Sequence, residues 1–460
     1  MALIKSISGI RGTIGGKSGE TLSPLDIVKY TASFGSILLQ NHAAKKVVIG
    51  RDGRISGPIV SQLVSNTLMA LGLDVVDLGL STTPTVEMAV VMEGASGGII
   101  ITASHNPKEW NALKLLNEKG EFISGEDGQN VLALAESGEI QFAAVEKLGT
   151  YTQSDEYLQK HIDSILSLNL VDVEAVRNKE LKIVVDAVNS TGAIFVPALL
   201  NAMGVKEVVV LNEVVDGKFA HNPEPLPQNL SQLSSEVNKH RAHLGIAVDP
   251  DVDRLVLVCE DGSMFGEEYT LVAVADYVLS KRKGNTVSNL SSTRALRDVT
   301  IKQGGEYYPS AVGEVNVVAK MKEVNAVIGG EGNGGIILPD LHYGRDALVG
   351  IALFLTHLVK SDKTAKQLRG SYPDYFIVKN KIELENNIDL NAIFNYLKKK
   401  YKANPINTED GLRIEFENDW VHLRASNTEP IIRVIAESNF ETTANIIALR
   451  IMQDIKETLK

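Results

Sequence analysis

One pattern constrains the fold of this chain more than any single motif: a strand, a polar turn, a helix, a glycine and a second strand, repeated three times. The three openings are Lys46-Val-Val-Ile-Gly-Arg-Asp-Gly, Lys182-Ile-Val-Val-Asp-Ala-Val-Asn-Ser and Thr286-Val-Ser-Asn-Leu-Ser-Ser. Each runs into a helix-period stretch, then a glycine and a second short strand, at Gly72, Gly204 and Gly305. A third strand follows and ends in a loop of unusual composition: Thr102-Ala-Ser-His-Asn-Pro, Asp249-Pro-Asp-Val-Asp-Arg and Gly329-Gly-Glu-Gly-Asn-Gly-Gly. Such alternation predicts an α/β protein with parallel or mixed sheets. Ligands of such sheets bind beyond the carboxyl ends of the strands, so three loops in equivalent places predict three walls of one cleft.

From about Gly370 the repeat stops. Strands and helices continue, with Arg424-Ala-Ser-Asn-Thr-Glu-Pro ahead of an apolar strand from Ile431 to Ala436 and a closing helix, which predicts a smaller α+β fourth domain. The 460 residues allow two to four domains at roughly 150 residues each. The expected division is 1–150, 151–250, 251–368 and 369–460.

Composition narrows the partners. Lys and Arg number 46 against 57 Asp and Glu, a net charge of −11, which argues against nucleic acid or an anionic membrane surface. Any anion site must therefore be local. Cys259 is the single cysteine, so no disulfide framework or thiolate metal cluster is available within the chain and a reducing compartment is expected. The sequence shows no signal-peptide core and no apolar run of membrane length, which predicts a soluble cytoplasmic protein.

The loops carry the chemistry. Asp249, Asp251 and Asp253 alternate along an extended turn, where their oxygens can converge on one hard cation such as Mg²⁺. Calcium in an EF-hand loop is excluded by Arg254, which sits where the sharp turn needs glycine. Ser104 ends an apolar strand, with Pro107 halting regular pairing, so its hydroxyl should be exposed. His105 beside it suggests a Ser-His hydrolase, but neighbouring side chains point to different sides and no Gly-x-Ser-x-Gly elbow is present. Taken alone, this loop also suits a capped turn. Arg424, Ser426, Asn427, Thr428 and Arg433 together offer guanidinium forks and neutral donors, the set that a dianionic phosphate requires. Gly330 to Gly335 matches the dinucleotide pattern Gly-x-Gly-x-x-Gly, yet the residues that follow, Ile336-Ile-Leu-Pro, read as extended and not as a helix. A loop presenting Glu331 and Asn333 to a polyol fits those glycines equally well. Gly12 to Ser18 imitates a P-loop but has Arg11 where glycine is needed.

In their order and spacing, the four loops resemble the α-D-phosphohexomutase superfamily, over a span from Ser8-Gly-Ile-Arg-Gly to Arg433. The resemblance implies four domains around a central cleft, the first three sharing an α/β core. It places a phosphoserine at Ser104, and Mg²⁺ on Asp249, Asp251, Asp253 and a phosphoserine oxygen. It assigns Lys114 as general acid or base, Arg11 and Arg254 as electrostatic support, and His105 as an orienting group. Glu331 and Asn333 would bind the sugar; Arg424, Ser426, Asn427, Thr428 and Arg433 would anchor the distal phosphate. The implied reaction passes phosphate between the 6- and 1-positions of a hexose phosphate through a hexose bisphosphate, in a monomer or homodimer. Glu331-Gly-Asn-Gly-Gly with Val312-Gly-Glu-Val-Asn looks most like phosphoglucosamine mutases of the archaeal type, ranking glucosamine phosphate ahead of glucose and mannose phosphates. Common family patterns differ at Pro250, Val252, Ala112 and within the sugar loop, which bears on substrate choice and leaves the ligands in place. The rivals are a non-catalytic sugar-phosphate sensor, a phosphatase admitting water to phosphoserine, and a dehydrogenase. The segment His221-Asn-Pro-Glu-Pro is expected either to enter the cleft region or to serve as a proline-stiffened connection.

Overall fold

The computed structural model describes residues 3–6, 9–384, 390–425 and 431–458. It contains four sheets, and the first three share one plan. In each, the opening strand of the repeat (Lys46–Arg51, Lys182–Asp186, Asn285–Asn289) lies between its two successors and pairs with both in parallel. The first two are apolar on both faces because helices cover both, so they read as continuous Val and Ile runs, whereas the third, Asn-Thr-Val-Ser-Asn, is buried but mostly polar. The third strand then turns back to an antiparallel partner: Gly97–Ile101 to Trp110–Leu116, Leu244–Val248 to Leu255–Cys259, and Ala326–Glu331 to Gly335–Ile337. The three unusual loops are therefore the same hairpin turn, made three times.

Two expected boundaries move. Strand Leu255–Cys259 completes the second sheet, so that unit extends beyond 250 and the aspartate loop lies inside it. Tyr151–Gln153 pairs with Asp74–Leu80 and extends the first sheet, a seven-stranded one, past 150. The strand Gly335–Ile337 directly after the glycine loop removes the helix that a dinucleotide site needs.

The second and third units share one core. Helix Ala347–Ser361 is buried almost all round, and its residues join one apolar cluster with Ile183, Val185, Leu244 and Leu255 of the second sheet. Asp346 starts this helix by accepting the N–H groups of Leu348 (2.8 Å) and Val349 (3.2 Å) on Oδ1.

The fourth sheet is antiparallel, ordered Phe376–Glu383, Ile431–Ser438, Trp420–Ala425, Leu412–Glu415 and Ile406–Asn407. Period-2 alternation gives it two faces. Leu412, Ile414, Val421, Leu423, Ile432 and Val434 meet helices Leu390–Lys400 and Glu441–Thr458. On the opposite face, buried polar groups dock against the third unit. His422 Nδ1 lies 2.9 Å from Ser291 Oγ, Glu437 Oε1 accepts the Arg294 N–H at 3.0 Å, and Arg413 donates to the Leu290 carbonyl. Among the described residues no helix is long and apolar enough to cross a membrane.

Candidate active site

The first hairpin turn holds Ser104 in a left-handed conformation, φ 49°, which is uncommon for a residue with a Cβ. The surroundings enforce it. The Ser104 N–H donates to Thr102 Oγ1 (2.9 Å), which donates in turn to Asp52 (2.7 Å). Arg54, fully buried, lies under the whole turn: Nε pairs with Asp52 at 3.0 Å, Nη1 donates to the carbonyls of Pro107 (2.7 Å) and Trp110 (2.9 Å), and Nη2 to those of Ser104 and Asn106. The tight turn also brings Ser104 Oγ to 3.4 Å from His105 Nδ1, a proximity that strand geometry argued against. His105 is held neutral: burial, and then Arg254 and Arg11, push its pKa well below the usual imidazole value.

The second hairpin turn faces the first. Ser104 Oγ donates to Asp249 Oδ2 at 2.7 Å, and Asp249 Oδ1 accepts the N–H groups of Asp253 and Arg254 at 3.2 Å. Val252, β-branched yet at φ 61°, gives this turn its shape. Asp251 Oδ2 accepts from Lys114 Nζ (2.7 Å) and Thr83 Oγ1 (2.6 Å); Asp253 Oδ2 accepts from Arg345 Nη2 (2.7 Å) and Lys114 Nζ (3.4 Å). The other oxygens, Asp251 Oδ1 and Asp253 Oδ1, are buried with no hydrogen-bond partner among the described residues.

The three aspartates each offer an oxygen within 4.8 Å of the others. Burial, and then the neighbouring Asp253 and Asp251 charges, push the Asp249 pKa well up, whereas Lys114 and its hydrogen bond hold Asp251 low against its own burial. Two bare buried oxygens in an all-carboxylate donor set are what a hard divalent cation satisfies, so these residues fit one. Lys114 is buried, which by itself lowers its pKa, but Asp251 and Asp253 outweigh that and raise it. It therefore carries its proton.

Both turns open on a cavity of about 960 Å³, lined also by Arg11, Arg254, Glu331 and Arg424. Arg11 donates to Asn106 at 2.8 Å and Arg254 lies 3.7 Å from Glu224, at the end of the proline-stiffened segment. In the third hairpin Glu331 is the last strand residue and is anchored on both oxygens. Oε1 accepts from Asn289 (2.9 Å) and the Gly313 N–H (3.2 Å), and Oε2 from Arg345 (2.7 Å). Asn333 is different. Its Oδ1 accepts the Gly335 N–H at 3.2 Å within the turn, and it is not brought to the cavity wall.

From the fourth domain Arg424 reaches the cavity while its Nε pairs with Asp410 Oδ2 at 2.7 Å. Arg433 is its neighbour across the ladder but is exposed and away from the wall. Ser426, Asn427 and Thr428 lie outside the described residues. Sequence reasoning missed Arg54, Arg345 and Asp410. Only Arg54 left a signal, as part of the Arg51-Asp-Gly-Arg turn at the end of the first repeated strand.

A second cluster lies behind the cavity. His161 Nε2 and His342 Nε2 are 2.9 and 3.3 Å from the same oxygen of Asp346, His161 Nδ1 lies 2.8 Å from Thr85 Oγ1, and His342 Nδ1 lies 3.3 Å from buried Glu87. Both nitrogens of His161 and the Nε2 of His342 are hydrogen-bonded, while His342 Nδ1 and Glu87 meet as an ion pair, so the group reads as a polar clasp joining the first three units. Against its burial, His342 is pushed up to about 10 by Asp346 and Glu87, and burial raises Glu87 to about 8. Both hold protons in the folded state above their unfolded values of 6.5 and 4.5, so the clasp's contribution is full at low pH and is lost as pH rises toward 10. Thermal melting should fall between about pH 6.5 and 10, and the slope should flatten in His342→Gln. Parallel slopes in the two proteins would contradict this.

Similarity to known proteins agrees with this geometry. The descriptions "Phosphoglucomutase/phosphomannomutase, alpha/beta/alpha domain" I, II and III match residues 3–141, 159–262 and 266–375, and the corresponding C-terminal domain matches 378–453. A phosphoglucomutase/phosphomannomutase of Thermococcus kodakarensis is 36% identical over 443 residues, covering 94% of this chain and 95% of that protein. A probable phosphoglucosamine mutase of Methanopyrus kandleri is 33% identical, covering 95% and 94%. The crystal structure of a phosphoglucomutase/phosphomannomutase family protein from Burkholderia thailandensis, 28% identical, superimposes with a TM-score of 0.85 over 99% of this chain and 97% of that one. With all four domains matched in order, the chain belongs to the phosphoglucomutase/phosphomannomutase family of phosphohexomutases, isomerases that work by phosphoryl transfer.

Proposed function

We propose that this chain carries a phosphoryl group on Ser104 and interconverts glucosamine 6-phosphate and glucosamine 1-phosphate, primed by a hexose bisphosphate. The observation that carries the reading is a serine hydroxyl on a strained hairpin turn, 2.7 Å from a buried carboxylate group and open to a cavity of about 960 Å³. Asp249, Asp251, Asp253 and an oxygen on Ser104 would hold Mg²⁺, which supplies positive charge against the transferring phosphoryl group.

The chain's own residues do the rest. Arg54 and Thr102 fix the turn so that Oγ points into the cavity. Forward transfer breaks the bond from phosphorus to Ser104 Oγ and forms one to a sugar hydroxyl, whose proton must leave as it attacks. Neutral His105, beside Oγ, orients it, charged Lys114 can give a proton to the oxygen being released, and the proton of the attacking hydroxyl passes to the lysine so freed or to solvent. Arg11 and Arg254 add positive charge on the cavity wall. The bisphosphate then presents its other end to Ser104, and the end that is not reacting is held from the fourth domain, with Arg424 as the described anchor. Arg433 and the serine, asparagine and threonine before it in the chain complete that set in the proposal.

For the amino sugar, support comes from the Glu331 hairpin and from relatives named probable phosphoglucosamine mutase; a relative named phosphoglucomutase/phosphomannomutase supports the alternative. The test is kcat/KM on glucosamine 6-phosphate, glucose 1-phosphate and mannose 1-phosphate with Mg²⁺ and a matching bisphosphate. Glucosamine 6-phosphate should lead by about tenfold, equivalent to about 1.4 kcal/mol in the transition state. A lead for glucose or mannose phosphate would overturn the substrate assignment and leave the reaction class standing.

A further inference from the structure

The Arg345 side chain touches two functional segments of the third unit and the metal loop of the second. Its Nη1 donates to Glu331 of the third hairpin (2.7 Å) and its Nε to Glu314 of the 312–316 segment (3.0 Å). Its Nη2 donates to Asp253 of the aspartate turn at 2.7 Å. The backbone N–H of Arg345 adds a bond to Glu314 at 3.1 Å. These partners are 14, 31 and 92 residues away in the chain, and the residue after Arg345 is the cap of the buried helix shared by two units. The guanidinium therefore sits beside the cap of a buried helix and is held by three carboxylates. We propose that Arg345 is a positioning residue that makes the sugar hairpin and the metal turn one mechanical unit, so that metal affinity depends on how Glu331 is held.

The geometry at Asp253 gives the reason. Arg345 and Lys114 both occupy Oδ2, which leaves Oδ1 buried without a hydrogen bond. Without the Arg345 fork the carboxylate can rotate, and the free oxygen is no longer fixed. Glu331 in turn fixes the guanidinium, since it supplies one of the three acceptors that hold the plane in place. A lysine at this position keeps the charge but offers a single point donor, which cannot span three carboxylates at once.

This inference rests on the metal-dependent reading above, and direct Mg²⁺ binding separates the two. Isothermal titration with Mg²⁺ alone would be run on the whole protein as wild type, Arg345→Lys, Glu331→Asp and the double variant, all of equal charge. Melting temperatures and circular dichroism would establish folding. Each single variant should bind Mg²⁺ about tenfold more weakly, and the double variant no more weakly than the worse single one, because both substitutions break the same link. Simple charge attraction predicts no change in any of them. Unchanged affinity in folded Glu331→Asp, or additive losses in the double variant, would overturn the Arg345 link while the mutase reading stood. Absence of Mg²⁺ binding by the wild type would overturn both.

Discussion

Ser104→Ala is expected to lower mutase turnover by roughly 10⁴-fold or more, even with hexose bisphosphate supplied. The proposed phosphoryl carrier is a single oxygen, and nothing else described in the first hairpin can replace it: His105 is neutral and turned to Oγ, and Lys114 is charged and paired. The loss should fall on kcat. Arg54 and the Thr102 relay hold the turn through backbone groups, so hexose phosphate affinity should stay within a few-fold of wild type. Measured by coupled assay and by phosphate incorporation, turnover near the wild-type rate would end the phosphoserine reading.

Asp251→Asn should be nearly as damaging and by a different route. Losing one carboxylate of the set removes several kcal/mol of charge stabilisation around the transferring group, or about 10³-fold in rate, together with the dependence on Mg²⁺. It also breaks the buried pair with Lys114, and such breaks cost about 3–5 kcal/mol. Here the effect on stability should lie at the lower end, because Asp253 remains 3.4 Å from the same ammonium. Urea unfolding reads the second effect and a Mg²⁺ titration of activity the first. An unchanged Mg²⁺ requirement would remove the metal assignment.

How much was legible depended on whether the signal was local. Val47-Val-Ile and Ile183-Val-Val announce buried parallel strands, and the loop after each third strand stands out by composition, so the repeat and most of the cavity wall were readable. What failed involved partners distant in the chain. Arg345 sits in an irregular stretch with no period, and its three carboxylates lie on three other segments, so no spacing rule points to it. The helix after it is apolar almost all round, which predicts burial but not that its neighbours include the second sheet. In the glycine hairpin, a local pattern could not say which polar residue faces inward. The strand runs as far as Glu331, and Asn333 turns its amide oxygen to the Gly335 N–H. The second unit runs past 250 because the aspartate turn, whose composition looks like the end of a unit, is the middle of a hairpin.

The polar face by which the fourth sheet rests on the third unit has a thermodynamic consequence. Lifting it uncovers Arg413, His422, Glu415 and Glu437, along with Trp420, whose ring is covered by Arg413 at 4.1 Å and whose N–H goes to Glu437. Wetting polar surface lowers heat capacity where wetting apolar surface raises it, so this separation carries little of the curvature with temperature that unfolding shows. Its ion pairs, such as Arg294 with Glu415 at 3.3 Å, become open to screening as they part. Dissolved salt, more than heat, is therefore the variable expected to loosen the contact between the fourth sheet and the third unit.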